Sequence, residues 1–85
     1  MRYTIRFAES AAKALSKLDR VVRRRVEAKV DALAEDPFPA GVRKIVGEDN
    51  AYRIRVGDYR VVYEVHASVL VILILRVGHR SDVYR

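Results

Sequence analysis

The sequence contains no cysteine and no tryptophan. Without cysteine the chain can form neither a disulfide nor a thiolate metal site, a pattern that fits the reducing cytoplasm. The longest apolar run, VLVILIL at positions 69–75, is far shorter than the roughly 20 residues that a membrane helix needs. The N-terminal basic residues are not followed by the apolar stretch of a signal peptide. We therefore expect a cytoplasmic protein that does not enter a membrane.

Acidic residues are also scarce relative to basic ones. The chain has 11 Asp and Glu against 17 Lys and Arg, of which 13 are arginine, and its net charge is +6. Such a charge attracts polyanions, and among these we favour nucleic acid over anionic lipid or an acidic protein. The 85 residues predict one domain, 1–85, with a core so modest that a partner covering apolar surface would stabilise it.

Hydrophobic periodicity predicts two helices followed by a run of short strands. Asp19 is a suitable N-cap for the second helix, and Pro37 should end that helix at Glu35–Asp36. The order β-α-α-β-β-β-β predicts an α+β, two-layer sandwich, with a helical hairpin packed on one face of a mostly antiparallel sheet. The predicted strands are 2–7, 42–46, 51–56, 59–66 and 69–78, and the predicted helices are 9–18 and 19–36.

The stretch YRIRVGDYRVVYEV (52–65) reads as a β-hairpin whose two-residue loop is Gly57-Asp58. Glycine in the first loop position suits a type II′ turn. In this register Arg55 lies opposite Arg60, and Arg53 lies opposite Val62. The three arginines therefore share one face of the sheet. The other face, on which the helices pack, carries Tyr52, Ile54, Val56, Tyr59, Val61 and Tyr63.

This face of arginines is unfavourable for stability, because like charges directly opposite each other destabilise a sheet. An exposed face needs polar residues, but threonines or carboxylates would satisfy that need without repulsion. Guanidinium groups bind phosphate oxygens through paired hydrogen bonds. We therefore interpret Arg53, Arg55 and Arg60 as a polyanion-binding surface.

The last predicted strand is apolar on both faces, so it should lie inside the sheet with its far side covered as well, for example by a partner. It leads into VGHRSDVYR (77–85), which brings His79, Arg80 and Tyr84 together at the strand end. The sequence does not fix the register between this strand and 59–66. Whether these three residues share the face of the arginines is therefore left open.

The element order, YRIRVGDYRVVYEV and ILRVGHRSDVYR (74–85) together resemble the RelE branch of the RelE/ParE toxin superfamily over essentially the whole chain. Members are toxins of bacterial and archaeal toxin–antitoxin pairs that enter the ribosomal A site and cut mRNA. The resemblance implies a two-layer sandwich with the first strand beside the last. It also implies attack of the ribose 2′-OH on its own 3′ phosphate, without a metal or another cofactor.

The resemblance assigns a role to each arginine. Arg53 and Arg55 match two basic active-site positions, commonly lysine in relatives, that contact RNA. Arg60 matches a phosphate-binding arginine, and Arg80 matches one that stabilises charge at the scissile phosphate. Because arginine stays protonated, none of these residues is suited to abstract a proton.

Two candidates are left for proton transfer. His79 stands where relatives carry lysine or histidine, and histidine titrates near neutral pH. Tyr84 matches a C-terminal tyrosine that stacks on a base or aids proton transfer. The resemblance does not decide between them.

The leading interpretation is a ribosome-dependent mRNA endonuclease of a type II toxin–antitoxin system. One alternative is a ParE-like toxin that binds gyrase and has no nuclease activity. Another is a degenerate toxin that acts only as an antitoxin-bound co-repressor. The expected partners are a cognate antitoxin, the ribosome with its mRNA, and operator DNA bound through the antitoxin complex.

Overall fold

The structure, a computed structural model, describes residues 2–79. Over this range the elements follow the predicted order, and the bounds of the third and fourth strands agree with those predicted. The α+β fold is confirmed. The elements are β1 (Thr4–Phe7), α1 (Glu9–Ser16), α2 (Arg20–Leu33), β2 (Arg43–Lys44), β3 (Ala51–Val56), β4 (Tyr59–His66), a 3₁₀ turn (Ala67–Val69) and β5 (Val71–His79).

The strands form a single sheet in the order β1-β5-β4-β3-β2. β1 runs parallel to β5, and the other neighbours are antiparallel. The first strand therefore lies beside the last, and β5 lies inside the sheet, as expected. We call the side that faces the helices the inner face of the sheet, and the opposite side the outer face.

The core lies between the helices and the inner face. Ile72 and Ile74 of β5 are completely buried there, and so are Val61 and Tyr63 of β4. The helices contribute the predicted apolar positions, among which Val26 is fully buried and Val30 and Leu33 are nearly so. α1 packs on β5 and α2 on β3, so every helical face that is apolar in the sequence finds a partner in the sheet.

The start of α2 is as predicted, but its end is not. The Asp19 carboxylate accepts a hydrogen bond from the Val21 N–H at 3.2 Å and so caps the helix. The helix ends at Leu33 rather than at 35–36. The N–H groups that follow the helix, those of Ala34 and Glu35, bond to carbonyls three residues back, which tightens the chain into a turn before Pro37 is reached.

The side chains on the two faces of β5 are buried to different extents. Ile72 and Ile74 on the inner face are fully buried, whereas Val71 and Leu73 on the outer face are only half-buried. Within the described residues, the chain itself thus covers the outer side of its most apolar strand only in part.

Candidate RNA-binding face

The β3–β4 hairpin has the register that the sequence predicts. Arg55 pairs with Arg60, Arg53 with Val62 and Val56 with Tyr59. Gly57 has a φ of +60°, which is the conformation that a type II′ turn requires of its first loop residue. The prediction that Arg53, Arg55 and Arg60 share one face is therefore confirmed, and that face is the outer one.

The three arginines differ in exposure. Arg55 is exposed and Arg53 is half-buried, but Arg60 is only 7% exposed. Strand alternation alone does not indicate this burial. Burial restricts the rotamers of this long side chain, so Arg60 holds its guanidinium in a fixed place on the face while Arg55 extends into solvent beside it.

A β-bulge in β5 brings a further arginine to the same face. Val62 pairs with Arg76, but the next residue of β4, Tyr63, pairs with Ile74, so Leu75 has no counterpart. The extra residue reverses the alternation. As a result Val77 turns inward, where it is 7% exposed, and Arg76 turns outward, where it is exposed.

The short edge strand β2 adds a fifth arginine. Arg43 pairs with Arg53, so the two side chains lie on the same side of the sheet, and Arg43 is exposed. Our sequence interpretation included neither Arg43 nor Arg76. No periodic signal marked Arg76, because positions 69–75 are apolar without interruption and so do not reveal the bulge. We call the five residues Arg43, Arg53, Arg55, Arg60 and Arg76 the arginine face.

The same bulge sends His79 to the other side of the sheet. His79 pairs with Tyr59 on the inner face, and the two rings meet edge to face with their centroids 5.7 Å apart. The structure therefore does not bring His79 together with the arginine face. Arg80 and Tyr84, the other predicted residues of this segment, lie outside the described residues.

Tyr63 anchors the loop that follows α2. Its hydroxyl donates a 2.6 Å hydrogen bond to the Pro37 carbonyl oxygen. Burial, and secondarily the nearby charge of Asp36, raises the pKa of this hydroxyl well above its ordinary value. Tyr63 therefore stays protonated as a structural donor. Phe38 in the same loop packs edge to face on Tyr52 at 5.0 Å.

Residues 2–79 contain no group of three or more potential metal ligands from His, Cys, Asp and Glu. In the same part of the chain, no helix is both long and apolar enough to cross a membrane.

A helical hairpin on a sheet of this strand order is the fold that this chain shares with solved toxins of toxin–antitoxin pairs. The chain belongs to the family described as "ParE toxin of type II toxin-antitoxin system, parDE", which matches residues 5–84. Several of its relatives carry RelE names, so it is a RelE-like member of this group.

Two curated relatives span nearly the same length as this chain. Toxin RelG of Mycobacterium tuberculosis is 36% identical over 89 residues, which cover 100% of this chain and 99% of the relative. The mRNA interferase toxin RelE of Escherichia coli K12 is 33% identical over a match that covers 99% of this chain and 92% of the relative.

Solved structures agree with the sequence relatives. The toxin in the crystal structure of the archaeal RelE–RelB complex from Pyrococcus horikoshii OT3 superimposes with a TM-score of 0.84 at 34% identity. The match covers 96% of this chain and 99% of that one. The fold and the RelE-like resemblance read from the sequence are thereby confirmed.

Proposed function

We propose that this chain is a ribosome-dependent endoribonuclease that cuts mRNA in the ribosomal A site. The observation that carries the proposal is the cross-strand pair of Arg55 and Arg60, in which an exposed arginine faces a buried one on the outer side of the sheet. Such a pair costs stability but offers two guanidinium groups to the phosphates of an RNA strand. The relative named mRNA interferase toxin RelE supports the same activity.

The reaction requires no covalent enzyme intermediate. The ribose 2′ oxygen bonds to the adjacent phosphorus as the bond from phosphorus to the 5′ oxygen breaks. The products are a 2′,3′-cyclic phosphate and a 5′-OH. The proton of the 2′-OH passes to a base, and the leaving oxygen takes one up. Negative charge grows on the phosphate in between, and fixed cations stabilise it there.

Our assignment divides the arginines by task. Arg60 and Arg80 stabilise the charge of the scissile phosphate, and Arg53 and Arg55 bind the RNA strand. Arg60 suits its task because its burial fixes its guanidinium before the substrate arrives, so that little reorganisation is needed in the transition state.

Proton transfer is assigned to Tyr84, with His79 as the second candidate. This order follows from the bulge, because His79 packs on Tyr59 at the inner face, away from the arginines. Single-turnover cleavage on programmed ribosomes separates the two. We expect Tyr84→Phe to lose cleavage and His79→Gln to retain it. The opposite pattern would transfer the role to His79, and normal cleavage by both variants would remove both from the mechanism.

The proposal includes three partners and a location. A cognate antitoxin would neutralise the toxin, as complexes of RelE with RelB in other organisms suggest. The ribosome with its mRNA would supply the substrate, and operator DNA would be bound through the antitoxin complex. All of these partners belong to the cytoplasm.

The activity is tested by ribosomes programmed with end-labelled mRNA, incubated with the parent protein and with Arg60→Gln. The parent should leave a 2′,3′-cyclic phosphate at a break in the A-site codon, and Arg60→Gln should cut about a hundredfold more slowly or worse. A parallel assay with gyrase and plasmid DNA tests the ParE-like alternative. Intact mRNA with gyrase-dependent DNA breaks would replace our proposal by that alternative. If both assays are negative while the antitoxin complex binds operator DNA, the degenerate co-repressor is correct.

A further inference from the structure

Arg43 and Arg76 lie in one cross-sheet row with the predicted RNA contact Arg53. The register reads Arg43, Arg53, Val62, Arg76 across β2, β3, β4 and β5. Neighbouring strands are about 4.8 Å apart, so this row is about 14 Å long. Val62, 8% exposed, provides an uncharged floor between Arg53 and Arg76.

The row contains a second pair of arginines that lie opposite each other on neighbouring strands. Arg43 lies directly opposite Arg53, just as Arg55 lies opposite Arg60 in the next row. Two adjacent pairs of opposed arginines on one face raise the electrostatic cost above that of a single pair. An anion bound along the face would relieve both pairs at once.

Carboxylates are nearly absent from this face. Among the described strand residues that point outward, Glu64 alone is acidic, and its Oε1 lies 2.8 Å from the Nε2 of His66. It belongs to the row beyond Val62, on the side away from the hairpin turn, where it pairs with Ala51 and Leu73. Among the described strand residues, the rows nearer the turn therefore include no acidic side chain on the outer face.

The bulge at Leu75 gives the row its last member. With regular alternation after Ile74, Arg76 would point toward the helices and Val77 toward solvent. The inserted residue instead buries Val77 and aims Arg76 outward. Bulges often re-aim a side chain in this way beside functional sites.

We propose that Arg43 and Arg76 bind the sugar–phosphate backbone of the RNA strand, so that the strand crosses the sheet along the row Arg43, Arg53, Val62, Arg76. This inference rests on the proposed function and specifies the path of its substrate. A nucleic-acid strand carries one charge per about 3.4 Å along a duplex, so the row is long enough to contact more than one phosphate. Arg60, which is assigned to the scissile phosphate, lies in the adjacent row. Arg43 and Arg76 therefore bind RNA without touching the reacting atoms.

The experiment measures binding of a short 2′-O-methyl RNA, which lacks the attacking hydroxyl, over a series of salt concentrations. The proteins are the parent, Arg43→Gln, Arg76→Gln and the double variant. Arg24→Gln is the control, because Arg24 is exposed and lies on α2 in the other layer. Each phosphate contact removed should lower the slope of log affinity against log salt by about 0.7, and the double variant by about 1.4. Arg24→Gln should keep the parental slope, and Arg76→Lys should restore it.

Cleavage on programmed ribosomes supplies a second readout. The toxin concentration for half-maximal cleavage should rise about tenfold in the double variant, while the rate at saturation stays within twofold of the parent. If the Arg43→Gln and Arg76→Gln variants have the same salt slope as Arg24→Gln while the parent cuts mRNA, this inference is overturned and the proposed function remains intact. If these variants have lowered slopes but the parent does not cut mRNA, the path of the RNA backbone is supported and the proposed nuclease activity is refuted.

Discussion

Arg55 and Arg60 show how one cross-strand pair can combine two different environments. Arg60 is 7% exposed, so its charge has lost most of its hydration, whereas Arg55 remains in solvent. Desolvation makes an unfavourable neighbour more costly, because the interaction between charges is less screened. The exposed partner is therefore the one whose removal should relieve the pair without leaving a cavity.

We expect Arg55→Gln to raise the free energy of unfolding by a few tenths to about 1 kcal/mol, which is the range for cross-strand pairs. Urea unfolding measures it, and the gain should shrink as added salt screens the charges. Arg6→Gln is the matched control, since Arg6 is exposed on the same outer face but pairs with Leu73. A variant less stable than this control would mean that Arg55 makes a net favourable contact with the fold.

At the scale of elements, the strongest sequence signals were local. The two-residue loop at Gly57-Asp58 fixes the register of β3 against β4, and for that reason the arginine pairing could be predicted from the residues alone. The link between β4 and β5 carries no such signal. There the chain forms a 3₁₀ turn and passes through Leu70, whose φ of 54° is unusual for a residue that is not glycine.

The bulge at Leu75 was likewise not predicted, and it determines to which face of the sheet both Arg76 and His79 point. Regular alternation would have placed His79 outward and Arg76 inward. The structure reverses both, because burying Val77 as well as Ile74 is more favourable than burying an arginine. The burial of Arg60 was missed for a different reason. Burial depends on what packs around a side chain in three dimensions, and strand alternation reports only its direction.

The loop after α2 gives the prediction for this scale. Tyr63→Phe removes the hydrogen bond to the Pro37 carbonyl and should lower the free energy of unfolding by about 1 kcal/mol at neutral pH. The raised pKa of the folded hydroxyl means that its stabilising effect is present below the ordinary tyrosine value of about 10. That effect is lost above pH 10, where the unfolded chain ionises first. Urea unfolding at pH 7 and above pH 10 measures both effects.

Tyr52→Phe is the control for that experiment. It removes the hydroxyl of the neighbouring Tyr52, whose ring centroid lies 6.0 Å from that of Tyr63, but keeps the Tyr63 hydrogen bond. The parent and Tyr52→Phe should lose more stability between the two pH values than Tyr63→Phe does. Equal losses in all three proteins would mean that the Tyr63 hydroxyl contributes nothing to the alkaline sensitivity.

At the scale of the whole molecule, charge and apolar surface are distributed unevenly on the outer face. The end near the hairpin turn carries the arginine face, and the other end carries the half-buried Val71 and Leu73 beside a single arginine, Arg6. An antitoxin that covers the outer face must therefore bring acidic side chains to one end and apolar side chains to the other. The net charge of +6 adds a long-range attraction that acts before contact.

These two ends should control different steps of antitoxin binding. Charged groups mainly set the rate of association, and well-packed apolar contacts mainly set the rate of dissociation. We expect Arg55→Glu to slow association at low salt, with the difference from the parent fading as salt is added. Leu73→Asn should instead speed dissociation and leave the association rate within about twofold. Surface plasmon resonance with the cognate antitoxin, from low to high salt, measures both rates.

The controls for this experiment lie outside the strands of the sheet. Arg24→Glu makes the same charge change on α2, and Val46→Asn makes a similar apolar-to-polar change at a residue that is 97% exposed. Arg24→Glu should slow association less than Arg55→Glu, since a charge near the contact surface steers encounter more effectively than one on the opposite layer. Val46→Asn should leave both rates unchanged. If association is insensitive to salt, or if Arg24→Glu and Arg55→Glu have equal effects, the antitoxin does not approach the arginine face, and this face serves RNA alone.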